Sequence, residues 1–159
     1  MSTPFTSAEA QRAVEVLASR PLARLVTEID DNGAIPPRRL AVTLPDLSTH
    51  QLRSASDTAR GHGLVRIAPG TGLELTEAGM ELADLYDAMA RWARRHAVPA
   101  PVCDFSGRIQ CVLDLLAPSL TTERADGVET CLARLHTLLI QWLADNLQVT
   151  RVSELEPVA

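Results

Sequence analysis

The chain has 159 residues, of which 46% are apolar, 22% charged and only 3% aromatic. That length suits one domain, or a small domain with added helices, and the composition excludes wholesale disorder; a core filled by Leu, Val and Ala points to helices packed on helices. The net charge is −5 and all 15 basic residues are Arg, so a surface for a polyanion has to be local rather than global.

Thr6 or Ser7 can cap a first helix over roughly 8–19, with Ala10, Ala13, Val14 and Leu17 on its apolar stripe. Pro21 suits the start of a second helix, which carries Leu22, Leu25, Val26 and Ile29 and stops at Asp31-Asn32-Gly33. Ala34-Ile35 reads as a one-bridge strand. Pro36-Pro37 opens a short helix through Leu44, with Leu40, Ala41 and Leu44 inward; Pro45-Asp46 breaks it. Ser48-x-x-Gln51 is a capping box for the next helix, which runs to about Gly61 and stops at Gly63. Leu64 to Ala68 and Leu73 to Leu75 flank a Pro69-Gly70-Thr71-Gly72 turn and read as a β-hairpin. Thr76-x-x-Gly79 opens a long helix bearing Met80, Leu82, Ala83, Tyr86, Met89, Ala90 and Ala93. After Pro99 and Pro101 come two amphipathic segments, roughly 105–117 and 127–146; Val128, Cys131, Leu132, Leu135, Leu139, Trp142 and Leu143 share a stripe on the second.

Charge is unevenly spread along this order. Between Gly33 and Gly72 five arginines (Arg38, Arg39, Arg53, Arg60, Arg66) face two aspartates (Asp46, Asp57), whereas the rest holds ten arginines and eighteen acidic residues. On the helix after Ser48, Leu52, Ala55 and Ala59 repeat at core spacing, which turns Thr49, His50, Gln51, Arg53 and Ser54 outward. Arg53 can pair with guanine, and Gln51 with adenine unless the capping box holds it. Arg38 and Arg39 before this helix, and Arg66 and Thr71 on the hairpin, suit contacts to phosphate. Asp57 would repel phosphate unless it pairs with Arg53 or Arg60 along the helix.

The order helix, short strand, helix, turn, helix, hairpin, helix resembles bacterial winged helix-turn-helix regulators of the HxlR and MarR kind over roughly 22–95. Pro45-Asp46-Leu47-Ser48-x-x-x-Leu52 carries the resemblance, with Gly63-Leu64-Val65 and Leu75-Thr76-x-x-Gly79. The turn of the hairpin is shorter than usual for a wing. The resemblance implies a mainly α fold with a small β-hairpin wing plus terminal dimerisation helices. It divides the chain into an N-terminal helix (1–20), a DNA-binding unit (21–96) and a C-terminal helical region (97–159). It implies a homodimeric regulator of double-stranded DNA, with a small-molecule effector as a further candidate partner. A winged-helix module that binds another protein without DNA is the alternative.

Leu132, Leu135, Leu139 and Trp142, helped by Val14 and Leu17, are the expected dimer contacts; packing within one chain is the competing role. Tyr86, Met89, Trp92 and Trp142 are candidates for an effector pocket, against plain core. Neither a metal nor a cofactor is expected: Cys103-x7-Cys111 lacks zinc spacing, Cys111 and Cys131 fall on apolar stripes, and Cys103 is the one candidate reactive thiol. The chain carries no phosphate-cradling glycine loop, nucleophile elbow or His-Glu metal motif, so no enzyme is expected. With no bilayer-length apolar run and no secretory pattern at its start, the expected location is the cytoplasm, with no membrane partner.

Overall fold

A computed structural model describes residues 5–98, 104–121 and 130–151, apart from the side chains of 130 and 131. The fold is mainly helical with one antiparallel hairpin. The elements are α1 (Ser7–Leu17), α2 (Arg20–Asn32), a 3-10 turn (Pro37–Arg39), α3 (Leu40–Thr43), α4 (Thr49–Gly61), β1 (Val65–Ala68), β2 (Gly72–Leu75), α5 (Glu77–Arg95), α6 (Phe105–Leu116), a 3-10 turn (Ala117–Thr121), α7 (Thr130–Asp145) and a last 3-10 turn (Leu147–Val149). Among the described residues no helix is long and apolar enough to cross a membrane.

The helix starts follow from side-chain caps. Thr6 and Glu9 form a reciprocal capping box on α1, Ser19 caps α2, and Asp104 caps α6. In the hairpin Val65 faces Leu75 and Arg66 faces Glu74. Ile35 adds a single bridge to Leu73, exchanging hydrogen bonds of 3.0 and 2.8 Å. Gly72 makes this possible: at φ +112°, a Cβ there would strike the Ile35 carbonyl and Pro36.

One hydrophobic cluster runs from Phe5 to Val149 and takes side chains from every helix except the short α3 and from both strands. The N-terminal helix and the C-terminal helices share this core with the central segment. Leu17 is 1% exposed, Leu135 5%, Leu139 0% and Trp142 5%. These four are therefore packed within their own chain, the competing role, and leave little surface for a second copy, which corrects the sequence expectation. The apolar stripes say that a helix buries a face, but not against what. Val14 and Leu132 are only partly buried. Val128 and Cys103 lie outside the described residues, as does the Cys131 side chain; Cys111 is half-buried. One further expectation fails: Ala41, expected inward, is exposed on the single turn of α3. Met80 on α5 is 50% exposed.

Backbones approach closely where α4 ends and α5 begins. α4 closes in a Schellman motif: Leu64 N–H reaches back to Ala59 C=O (2.8 Å), Gly63 N–H to Arg60 C=O (3.1 Å), and Gly63 takes φ +73°. Thr76 then ties the next helix to this turn. Its hydroxyl donates to Gly63 C=O (2.6 Å) and accepts from Gly79 N–H (3.2 Å), and its N–H donates to Leu64 C=O (2.9 Å). Gly79 sits so close to Leu64 that an added Cβ would overlap the Leu64 carbonyl oxygen, which is backbone and cannot swing aside. Gly79→Ala should therefore cost about 1–3 kcal/mol, as overpacking does. Gly61→Ala, with open space around it, should be neutral or stabilising by about 0.5 kcal/mol. Urea unfolding of both variants checks the contrast.

Candidate nucleic-acid interface

The exposed polar face of α4 is the centre of the candidate site. Leu52, Ala55 and Ala59 are buried on its inner side, against α2 and β1. Thr49, His50, Arg53 and Ser54 are all exposed on its first two turns, where the sequence puts them. Arg38 and Arg39 are exposed in the 3-10 turn that leads into α3. A groove of about 320 Å³ separates the two segments, with Arg38, Ala41, Thr49, Arg53, Ser56 and Asp57 among its lining. Basic groups therefore stand on both sides of this groove, with the carboxylate of Asp57 among its lining.

Gln51 differs from its companions. Its N–H donates to Ser48 Oγ (3.1 Å), while its side-chain oxygen accepts from Ser48 N–H (2.9 Å). The side chain is half-buried and folded back on the helix start. A bidentate contact to adenine needs that same oxygen, so Gln51 acts here as a cap.

The hairpin is less basic than its sequence suggests. Arg66 Nε lies 2.6 Å from a Glu74 carboxylate oxygen, straight across the two strands. Both are surface groups, and the pair offsets the charge that Arg66 offers a phosphate. Thr71 is exposed at the hairpin tip, its hydroxyl 3.3 Å from Ala68 C=O. Among the described residues, Asp57 forms no ion pair within 4 Å with Arg53 or Arg60, so the helical pairing proposed for it is absent.

Three of the four effector-pocket candidates are core residues. Tyr86 and Met89 are 0% exposed and Trp92 is 8% exposed. The Tyr86 hydroxyl donates to Leu17 C=O (2.7 Å), and complete burial pushes its pKa up. Trp92 stacks on His96 with ring centroids 4.2 Å apart. Trp142 is buried too, its indole N–H donating to Ala78 C=O at 3.2 Å, but one side of it lines a groove between α5 and α7.

Sequence reading missed how the start of α4 is held. Asp46, read there as part of a helix break and as an opposing charge, accepts two hydrogen bonds from Arg24 (2.9 and 2.8 Å) and one from Arg20 (2.9 Å). Both arginines belong to α2, one turn apart on a single face, and that i, i+4 spacing was the available signal. The bidentate contact fixes the turn before α4 to α2 with defined geometry. The Arg24 hydrogen bonds hold the Asp46 carboxyl far below the usual carboxylate range, against partial desolvation that acts the other way.

A depressed folded-state pKa adds stability that is fully present above the unfolded carboxylate value and lost as pH falls towards the folded one. Asp46→Asn should cost about 1 kcal/mol at neutral pH, the upper end for exposed pairs. The gap from wild type should close as pH drops through about 4 towards 2. Urea titrations across that range test the sign; a constant gap would show that Asp46 acts by packing alone.

No family model, curated protein or solved structure matches this chain.

Proposed function

We propose that this protein is a winged helix-turn-helix transcription regulator that reads double-stranded DNA with α4. The observation that carries this reading is the outward polar face of α4, Thr49, His50, Arg53 and Ser54, beside exposed Arg38 and Arg39. An α-helix enters the major groove by its first turns, and those are the turns that carry these side chains. Arg53 is the base-reading group of greatest weight, since arginine can bind guanine through two hydrogen bonds. Arg38, Arg39 and Thr71 meet phosphate, which sets position and not sequence. Arg66 contributes less, because Glu74 already faces it.

The regulator works as a homodimer in this reading, because two copies of α4 about 34 Å apart match one DNA turn. Leu115 and Leu147, 48% and 55% exposed on the C-terminal elements, remain for that contact. A second reading, a winged-helix module that docks on a protein, draws on Val42, 72% exposed on α3, and on the unpaired Asp57 beside Arg53.

Binding to genomic fragments separates the two readings. A DNA reader should lose affinity steeply between about 50 and 200 mM salt, as phosphate counterions are displaced. Arg39→Ala should weaken all sequences alike, whereas Arg53→Ala should cost about 1–3 kcal/mol at the preferred site and relax its base preference. Absence of binding at low salt would leave the protein-docking reading. Sedimentation at micromolar concentration should give twice the 17.2 kDa chain mass; a monomer mass would remove the dimer.

A further inference from the structure

The groove between α5 and α7 is separate from the α4 face. It has a volume of about 280 Å³ and is lined by buried Leu85 and Trp142, by Leu138 at 46% exposure, and by Glu81, Asp84 and Asp145. No basic side chain lines it. Gln141 donates weakly to Asp145, at 3.3 and 3.4 Å. Among the described residues none of the three carboxylates forms an ion pair. More negative charge lies within reach of Asp84. The pKa values of Asp30 and Asp87 are raised from the ordinary aspartate value by partial burial, and then by neighbouring acids that include Asp31 and Asp84. Arg91 and Arg94 pull Asp87 the other way without cancelling that rise.

We propose that this groove binds a small lipophilic cation: an organic ammonium group carried on an aromatic or aliphatic body. The apolar walls suit the body, which would take Leu138 out of water. The three unpaired carboxylates suit the charge, and an indole beside them adds attraction for a cation. A volume of about 280 Å³ lies just below the usual range for ligand pockets and restricts the ligand to a small body. Neutral and anionic compounds of the same shape gain only the walls, or are repelled. This names a ligand class for the effector that the regulator reading leaves open. The site does not require that reading: the test below contains no DNA, so its failure leaves the α4 interface untouched.

The test is calorimetric titration of the full-length protein, at fixed salt, with phenyltrimethylammonium, 2-phenyl-2-propanol and benzenesulfonate, which share a phenyl ring and one compact tetrahedral group and differ in charge. The cation should bind one site per chain at least about tenfold more tightly than either of the others. The triple variant Glu81→Gln, Asp84→Asn, Asp145→Asn changes only exposed groups. It should lose about tenfold or more in cation affinity. A control, Glu15→Gln, Asp57→Asn, Asp114→Asn, removes the same charge elsewhere and should stay within about twofold. Equal weakening in both variants would mean that only bulk charge attracts the cation, and would overturn the proposal. Neutral and cationic probes binding alike would overturn it, as would an affinity that falls as protein concentration rises, the sign of a second copy seated in the groove.

Discussion

The close approach of Gly79 to the Leu64 carbonyl is the constraint on which the arrangement of α4 depends. A helix start pressed onto the backbone of the residue just before β1 leaves no room for a side chain there. The contact joins three things at one point: the Schellman end of α4, the first strand of the hairpin and the cap of α5. Two C-terminal elements reach the same place. The Trp142 indole donates to Ala78 C=O, and the Gln148 amide donates to His62 C=O at 2.7 Å. The direction of α4 is thus set by backbone contacts, which tolerate little adjustment.

The other end of α4 is held by charge. Asp46 takes two arginines of α2, and Ser48 with Gln51 closes the helix start. With both ends fixed, the outward face is presented in one orientation, and little ordering remains to oppose binding. The same contacts sort the charges. Asp46 lies inside the basic stretch of the sequence, but its charge is matched by Arg20 and Arg24. Arg38, Arg39 and Arg53 form no ion pair among the described residues. Fields at working salt fade within about 8–10 Å, so such a face can attract a polyanion on an acidic protein.

Local features were legible in the sequence because local chemistry decides them. The Ser48 and Thr76 caps, the Pro69-Gly70-Thr71 turn and the lone Ile35 bridge all sit where the residues imply. The polar face of α4 was legible for the same reason, since three core residues at helical spacing determine the opposite side. Long-range partners were not. The stripe through Leu135 and Leu139 records that a face is buried, and it reads identically whether its partner is α5 or a second chain. Arg24 and Asp46 are 22 residues apart, and no period links them. Gly79 carried a weak signal: glycine in the first turn of a helix costs about 1 kcal/mol relative to alanine, so its presence there calls for a packing reason.

Backbone amide NMR of the full chain, titrated at low salt with a short mixed-sequence DNA duplex, tests the central claim most directly. The account predicts that the largest shifts fall on Thr49, His50, Arg53 and Ser54, with Arg38 and Arg39 next and the α5–α7 groove unchanged. Shifts confined to α6 and α7, or none anywhere at concentrations that saturate a DNA binder, would contradict it.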